Sequence, residues 1–307
     1  MASVVVLGIF VADLAFKAKR LPVMGETILG SGFASGPGGK GSNQAIAAAR
    51  AGGDVGIITR IGNDTFGGMA RKAWQADGVD TSAVIEDAGA PTGAAFIFVS
   101  TETGNNAIIV ESGAAANLSP ADVHAAERMI GKAKVFITQF EQPIGTAIEG
   151  LSVARQCGAI TILNPAPAVP VEDGIYGLCD YVTPNETEAA TLTGLPVETE
   201  DQALDAAKEI VRRGARNALI TLGEKGALLH GAAGTQIVPA FKVAKVVDTT
   251  GAGDAFNGGF AVALAEGQSP VDAVRFGCAT AALSVQKPGT APSMPTRAEI
   301  EALLASG

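Results

Sequence analysis

Apolar positions along this chain follow two periods that take turns. Short runs rich in β-branched residues, at Val4–Gly8, Val55–Arg60, Lys134–Thr138, Ala159–Leu163 and Ala218–Leu222, predict buried strands. Between them, apolar residues recur at helical spacing over Ser42–Ala51, Phe66–Asp77, Ala121–Ile130, Ile144–Cys157 and Ala203–Arg213. The same spacing returns over Ala252–Glu266, Pro270–Val285 and Thr296–Leu304. Strands with little polar character that alternate with helices belong in a largely parallel sheet covered on both faces. The expected class is α/β, doubly wound.

Two stretches break this rhythm. Residues from about 10 to 36, and from about 92 to 112, carry strand-like runs such as GAAFIFVS and NAIIVES with no helix between them. They are read as a small β-sheet projecting from the core as a lid, within a single domain over 1–307. An edge sheet with apolar faces needs a partner, so the lid is a candidate homodimer surface. No Pro-rich linker, charge block or internal repeat marks a domain boundary.

Composition narrows the function. Hydrophobic residues at 47% and charged ones at 17% suit a large core and exclude disorder. The 39 glycines exceed the ~7% of average usage and point to tight turns and close backbone approaches. A net charge of −9 repels phosphate backbones and anionic lipid, which argues against nucleic acid and membrane as partners. Three scattered cysteines form neither a disulfide framework nor a zinc motif; they fit a reducing cytoplasm and read as buried small hydrophobes. With only His124 and His230 available, carboxylates are the expected carriers of proton transfer. Trp74 and the two histidines read as packing and surface residues. The N-terminal run VVVLGIFVA lacks a basic flank and a cleavage site, and reads as a strand rather than a leader or a span.

The most informative segment is Asp248-Thr249-Thr250-Gly251-Ala252-Gly253-Asp254, followed by AFNGGFAVALAEG. An apolar strand, VAKVV, is expected to end in Asp248, turn through glycines and enter a helix. Glycine amides at a helix N-terminus make an anion hole suited to phosphate. An acid beside such a hole makes sense as the group that accepts the proton of an attacking hydroxyl. A first-turn Asp can equally be a plain helix cap, but the GAGD string tips the balance towards chemistry. Gly258 and Gly259, in mid-helix, imply that something packs against bare backbone.

Other segments keep two readings each. Gly36-Pro37-Gly38-Gly39-Lys40-Gly41-Ser42-Asn43 fits G-x-G-x-x-G but fails the P-loop pattern, and no acid closes the strand after it as a dinucleotide site requires. Its amides, cation and Asn suit a polyhydroxyl compound; a tight capped turn is the alternative. In Thr183-Pro184-Asn185-Glu186-Thr187-Glu188, Asn185 and Glu188 share a helix face and could hold hydrated Mg²⁺, or simply cap their own helix. Thr221-Leu222-Gly223-Glu224-Lys225-Gly226 suits a nucleotide wall or an ordinary turn. Glu141 follows a strand end, where open α/β sheets bind ligands, or is a plain solvated loop acid. Asp13, in an apolar run, needs a partner.

Taken together and in order, GPGGKGSNQAIAAA, ITRIGNDTFG, ILNPAPA, TPNETEA, ITLGEKGA and DTTGAGDAFNGGF resemble the ribokinase / phosphofructokinase-B family of carbohydrate kinases over nearly the whole chain. The NPAPA and TPNETE strings point to its ribokinase branch. The resemblance implies a Rossmann-like core with a β lid, often dimerised through that lid, and transfer of the γ-phosphoryl of ATP to a sugar hydroxyl, typically giving ribose 5-phosphate. It implies Asp254 as catalytic base, with the amides of Gly251, Ala252 and Gly253 as anion hole. Asp13, Gly39, Lys40, Asn43 and Glu141 match sugar-binding positions, within a first-strand motif that here reads Val11-Ala12-Asp13. Asn185, the turn from Thr221 to Gly226, Gly253 and Cys278 match the nucleotide site. Asn185 and Glu188 match a Mg²⁺/phosphate motif. Asp248, Thr250, Ser284, Lys287, Gly289 and Ser293 match the loops that enclose an activating monovalent cation, K⁺.

One departure concerns specificity. Family members of this branch usually have Asn where this chain has Val11, and an apolar wall cannot discriminate a hydroxyl as an amide can. Ribose leads as acceptor, a deoxy or otherwise less polar pentose or a nucleoside suits Val11 better, and another sugar of fructose type is a further alternative. Two rival classes stay open on sequence alone: a NAD-dependent oxidoreductase and a non-catalytic sugar-binding protein on the same fold.

Overall fold

The computed structural model describes residues 3–232 and 234–306. Strand β1 (Ser3–Leu7) leads into β2 (Val11–Ala18) and β3 (Gly32–Gly38), then helix α1 (Lys40–Arg50). Next come β4 (Asp54–Gly62), α2 (Thr65–Ala76), β5 (Asp80–Asp87), β6 (Thr92–Ser100) and β7 (Asn106–Gly113). Two short helices, α3 (Pro120–Ala125) and α4 (Glu127–Ile130), precede β8 (Val135–Thr138), α5 (Ile144–Gln156) and β9 (Ile160–Leu163). The second half holds β10 (Tyr181–Val182), α6 (Glu186–Thr193), α7 (Glu200–Arg212), β11 (Asn217–Thr221), β12 (Ala227–Gly231) and β13 (Gly234–Val238). Helices α8 (Ala252–Ala265), α9 (Pro270–Ser284) and α10 (Arg297–Ser306) close the fold.

Nine strands form one sheet in the order β13-β12-β11-β10-β9-β8-β1-β4-β5. It is parallel from β5 to β11, and the last two strands are an antiparallel hairpin at its edge. Side chains of β1 alternate between two cores. Val4 and Val6 belong to the core under α1 and α8, whereas Val5 and Leu7 belong to the opposite core, where Leu7 abuts Gly150 of α5. Burial on both faces explains why β1 reads as an unbroken apolar run. The strand order reverses at β1, with β4 and β5 laid down on one side of it and β8 and its successors on the other. Open α/β sheets bind ligands outside the strand ends at such a switch point.

The remaining strands form the expected smaller sheet, ordered β3-β2-β6-β7, with β2 and β6 parallel. Its outer face exposes Phe16, Phe33 and Phe96 as a ring cluster, with Ile109 beside them. The two mid-helix glycines have the reason anticipated for them. A Cβ on Gly258 would lie 2.6 Å from that of Ala47 in α1, and one on Gly259 would lie 2.3 Å from Thr280 Oγ1 in α9. No described helix is long and apolar enough to cross a membrane.

Three expectations are corrected. VAKVV is not a strand. Val246 and Val247 are exposed, and the amides of Val247 and Asp248 donate to Val285 O beyond α9 instead of to a neighbouring strand. The helix expected over 121–130 breaks at Ala126. Asp122 ties α3 to Ser119 and to Arg60 of β4, while Met129 of α4 packs against Gly56. Cys179 and Cys278 are buried as expected, but Cys157 is exposed at the C-terminal end of α5.

Candidate active site

Every residue that matters for the site hangs from the C-terminal ends of the parallel strands or from the helix starts facing them. Asp13 follows β1 and lies in β2; Glu141 follows β8, the strand paired with β1. Asn164 follows β9, Thr183 and Asn185 follow β10, and Thr221 ends β11, bridged to Asn185. The starts of α1 and α8 bring Lys40, Asn43 and Asp254 to the same place. A cavity of about 150 Å³ opens there, lined by Lys40, Asn164, Asn185, Glu188, Gly251 and Asp254 among others.

Asp254 is not a cap of its own helix. Gly251 is the N-cap, in the left-handed region at φ 78°, where a side chain would be strained. Asp254 sits three residues on, buried, and its carboxylate turns towards α1. Its Oδ2 accepts from Asn43 Nδ2 at 3.0 Å and its Oδ1 from Gln44 Nε2 at 3.0 Å. Burial raises its pKa; Lys40, Asn43 and Gln44 pull in the opposite direction without cancelling that rise. First-turn amides of a helix have no partner within it. Here only the N–H of Ala252 turns back, onto Thr249 O at 3.2 Å, while Gly251 and Gly253 face the cavity.

Lys40 serves two sides. Its backbone N–H donates to Glu141 Oε2 at 2.8 Å, and its side chain lines the cavity beside Asp254. Burial would lower its pKa, but attraction from Asp254, Glu141 and Glu188 leaves it above the ordinary value, so it is a cation. Glu141 is pushed up to about 7, chiefly by burial, with Lys40 opposing. Asp13 is pushed up to about 6, again by burial first, against a hydrogen bond from Thr290 Oγ1 at 3.4 Å to its Oδ2. One cation thus faces several crowded carboxylates, a setting suited to polar ligands that replace lost water.

Asn185 and Glu188 form a reciprocal capping box, each side chain accepting from the other's backbone N–H at 2.8 Å. They also line the cavity, and Glu188 Oε1 makes no described hydrogen bond. That free oxygen fits a hydrated divalent cation; among the described residues no cluster of three or more His, Cys, Asp or Glu could hold a metal ion by itself. The segment Thr221–Gly226 is a tight turn, with Gly223, Glu224 and Lys225 exposed, Leu222 and Gly226 buried, and Thr221 on the cavity.

The two expected cation loops do meet. Asp248 accepts from the amides of Thr250 at 2.9 Å and Gly289 at 3.0 Å. Burial raises its pKa, but these bonds outweigh that and hold it below the usual range, so it is ionised. None of the described ion pairs involves Asp248, whereas Lys287 is paired with Glu299. An ionised, half-buried carboxylate without a cationic partner fits a monovalent cation. Ser284 Oγ donates to Ala281 O at 2.8 Å and Ser293 Oγ to Thr290 O at 2.7 Å.

Other expected positions lie further off. Val11 packs with Ile9, Ala95, Ala115 and Leu118; Ala12 is in the main core; Gly39 is the N-cap of α1; Cys278 is buried on α9, and none of these four lines the cavity. Burial pushes the Cys278 thiol up to about 12, which leaves it inert. Sequence reasoning missed Gln44, Gln139, Asn164 and Asn257. Each is buried, and each amide inside an apolar segment was a signal, because a buried amide needs partners.

A family model described as pfkB family carbohydrate kinase matches residues 1–297. The chain belongs to the pfkB family of carbohydrate kinases. A ribokinase of Haemophilus influenzae is 39% identical over 297 residues, 97% of this chain and 96% of its own length. A deoxyribokinase of Salmonella typhi is 36% identical over 295 residues, 96% of each. The solved structure of Arabidopsis thaliana ribokinase complexed with ribose and ATP matches with a TM-score of 0.92 at 33% identity, over 99% of this chain and 98% of that one. Family membership and fold agree with the sequence reading, and the oxidoreductase alternative falls away.

Proposed function

We propose that this chain transfers the γ-phosphoryl group of ATP to the O5 hydroxyl of D-ribose, as a single catalytic unit whose smaller sheet is the lid over the sugar. The carrying observation is Asp254: a buried carboxylate oriented by Asn43 and Gln44 beside the Gly251 and Gly253 amides and the Lys40 cation. Asp13, Asn43, Glu141 and the Gly39–Lys40 backbone hold the sugar hydroxyls between the two sheets. Asp254 accepts the hydroxyl proton as the sugar oxygen attacks in line. The α8 amides and Lys40 stabilise the negative charge that shifts between phosphate oxygens. Asn185, the Thr221–Gly226 turn and the region of Cys278 flank the nucleotide. Mg²⁺, held through Glu188 and Asn185, would neutralise phosphate charge when bound. Lid closure excludes water and limits futile hydrolysis.

The finer properties follow the same reading. K⁺ occupies the loops around Asp248 as an activator, two copies associate through the Phe16–Phe33–Phe96 face, and the enzyme works in the cytoplasm. One observation favours a second acceptor. Val11 is sealed in an apolar cluster beside Asp13 and offers no hydrogen bond to a sugar, and one relative is a deoxyribokinase. The test is ADP release with ATP, Mg²⁺ and K⁺ across ribose, 2-deoxyribose, fructose and nucleosides. Turnover highest with ribose supports the reading, turnover highest with 2-deoxyribose supports the second one, and no sugar-dependent ADP release overturns both.

A further inference from the structure

The two oxygens of Asp254 have different neighbours. Oδ2 meets Asn43 and Oδ1 meets Gln44; both amides are buried and neither lines the cavity, whereas Asp254 itself does. Gln44 is engaged at both ends of its amide. Its Nε2 donates to Asp254 Oδ1 and also to Asn164 Oδ1 at 2.9 Å, and its Oε1 accepts from Gln139 Nε2 at 2.6 Å. Asn164 is fixed in turn, because its own Nδ2 donates to Thr183 O at 3.0 Å. Turning the Gln44 amide over would set oxygen against oxygen twice and nitrogen against nitrogen once. Its direction is therefore decided by residues that follow β8 and β9, and so by the sheet itself.

We propose that Gln44, held by Gln139 and Asn164, is a positioning residue for phosphoryl transfer that fixes the carboxylate of Asp254 through Oδ1, so that the carboxylate is aimed to take the proton of the acceptor hydroxyl. The proposal rests on Asp254 being the base. In the step, the sugar O–H bond breaks and its proton goes to the Asp254 carboxylate. The sugar oxygen bonds the γ-phosphorus, and the bond from that phosphorus to the ADP oxygen breaks. Neutral amides suit this task better than a cation would. They fix the carboxylate plane by hydrogen bonds yet leave its negative charge intact, so its affinity for the incoming proton survives. Placement of this kind is what separates a productive from a loose site.

The test is Gln44→Met, which keeps side-chain length and removes both donors. We expect kcat to fall about 10- to 100-fold with both KM values within about threefold, because Gln44 touches neither substrate. The acid limb of kcat/KM should move to higher pH, since the carboxylate has lost a donor that favours its charged form. Adding Gln44→Met to Asp254→Asn should cost nothing beyond Asp254→Asn alone. If Asp254→Asn itself turns over like the parent, the base assignment fails. If Asp254→Asn is inactive while Gln44→Met keeps its kcat, or loses it with an unmoved acid limb, the positioning role alone is overturned. Should Gln44→Met not fold, Gln139→Met probes the same lock with both Asp254 contacts in place. A loss of about three- to tenfold with the limb moving the same way supports the proposal, and an unchanged kcat and limb overturn it.

Discussion

Replacing Glu141 with Gln should make the unliganded protein more stable at pH 8 and much less so at pH 5. The carboxyl of Glu141 is raised from 4.5 to about 7, chiefly by burial, so the folded state holds its proton more tightly than the unfolded chain does. Below the unfolded value both states are protonated and no difference arises. As pH climbs from there through about 7, the folded state must ionise a desolvated group and stability falls. A rise of about 2.5 units at 1.36 kcal/mol each sets an upper limit near 3.4 kcal/mol, complete above pH 7. Gln carries no charge, and its side-chain oxygen can still accept from the Lys40 N–H, a bond of 2.8 Å in the parent. Lys40 loses an anionic neighbour in exchange, so a gain of about 1–3 kcal/mol is expected, a few degrees in Tm. The assay is thermal unfolding of both proteins at pH 5 and pH 8 without ligands. A Tm difference that is the same at the two pH values, or larger at pH 5, would refute the reasoning. Sugar-dependent turnover should fall in the variant even as stability rises, the usual tension at a site built from buried charge.

Two further outcomes test other parts. Gly258→Ala should lower stability, because its Cβ would meet Ala47 Cβ at 2.6 Å and the backbone of Ala48 and Gln44 within 2.9 Å. The overpacking cost of about 1–3 kcal/mol is set against about 1 kcal/mol of helix propensity, so a Tm lowered by up to several degrees is expected and a raised Tm would contradict the tight α1–α8 contact. Activity should be higher in K⁺ than in Na⁺ at equal ionic strength, because Asp248 is ionised and lacks a cationic partner; equal rates in the two salts count against the cation loop.

The sequence reading succeeded where the determining interactions are local. GAGD at a helix start, Lys40 and Asn43 at another, the strand end before Glu141 and the helix start at Asn185 are each written within a few residues, and each reaches the same sheet edge. Long-range matters were hidden. Gln44 meets Gln139, Asn164 and Asp254 across separations of 95, 120 and 210 residues, so an amide in GSNQAIAAA signalled a need for partners without naming them. Strands at or near the sheet edges were also missed. The runs of β5 and of the β12–β13 hairpin carry polar residues on their open sides and lack the apolar continuity of β1. VAKVV has strand composition but no neighbour to pair with, which shows that β propensity describes a fit to a partner rather than a property of the segment.

The central claim is that Asp254 performs the proton transfer in a sugar kinase, and Asp254→Asn tests it most directly. Asn keeps the shape and can still accept from Asn43 or Gln44, but it cannot take a proton. The account predicts a folded protein whose ribose-dependent ADP release is slower by about 10²- to 10⁴-fold, equivalent to about 3–5 kcal/mol of barrier. Near-parental turnover by a folded Asp254→Asn protein would contradict the account and send the search for the base elsewhere in the site.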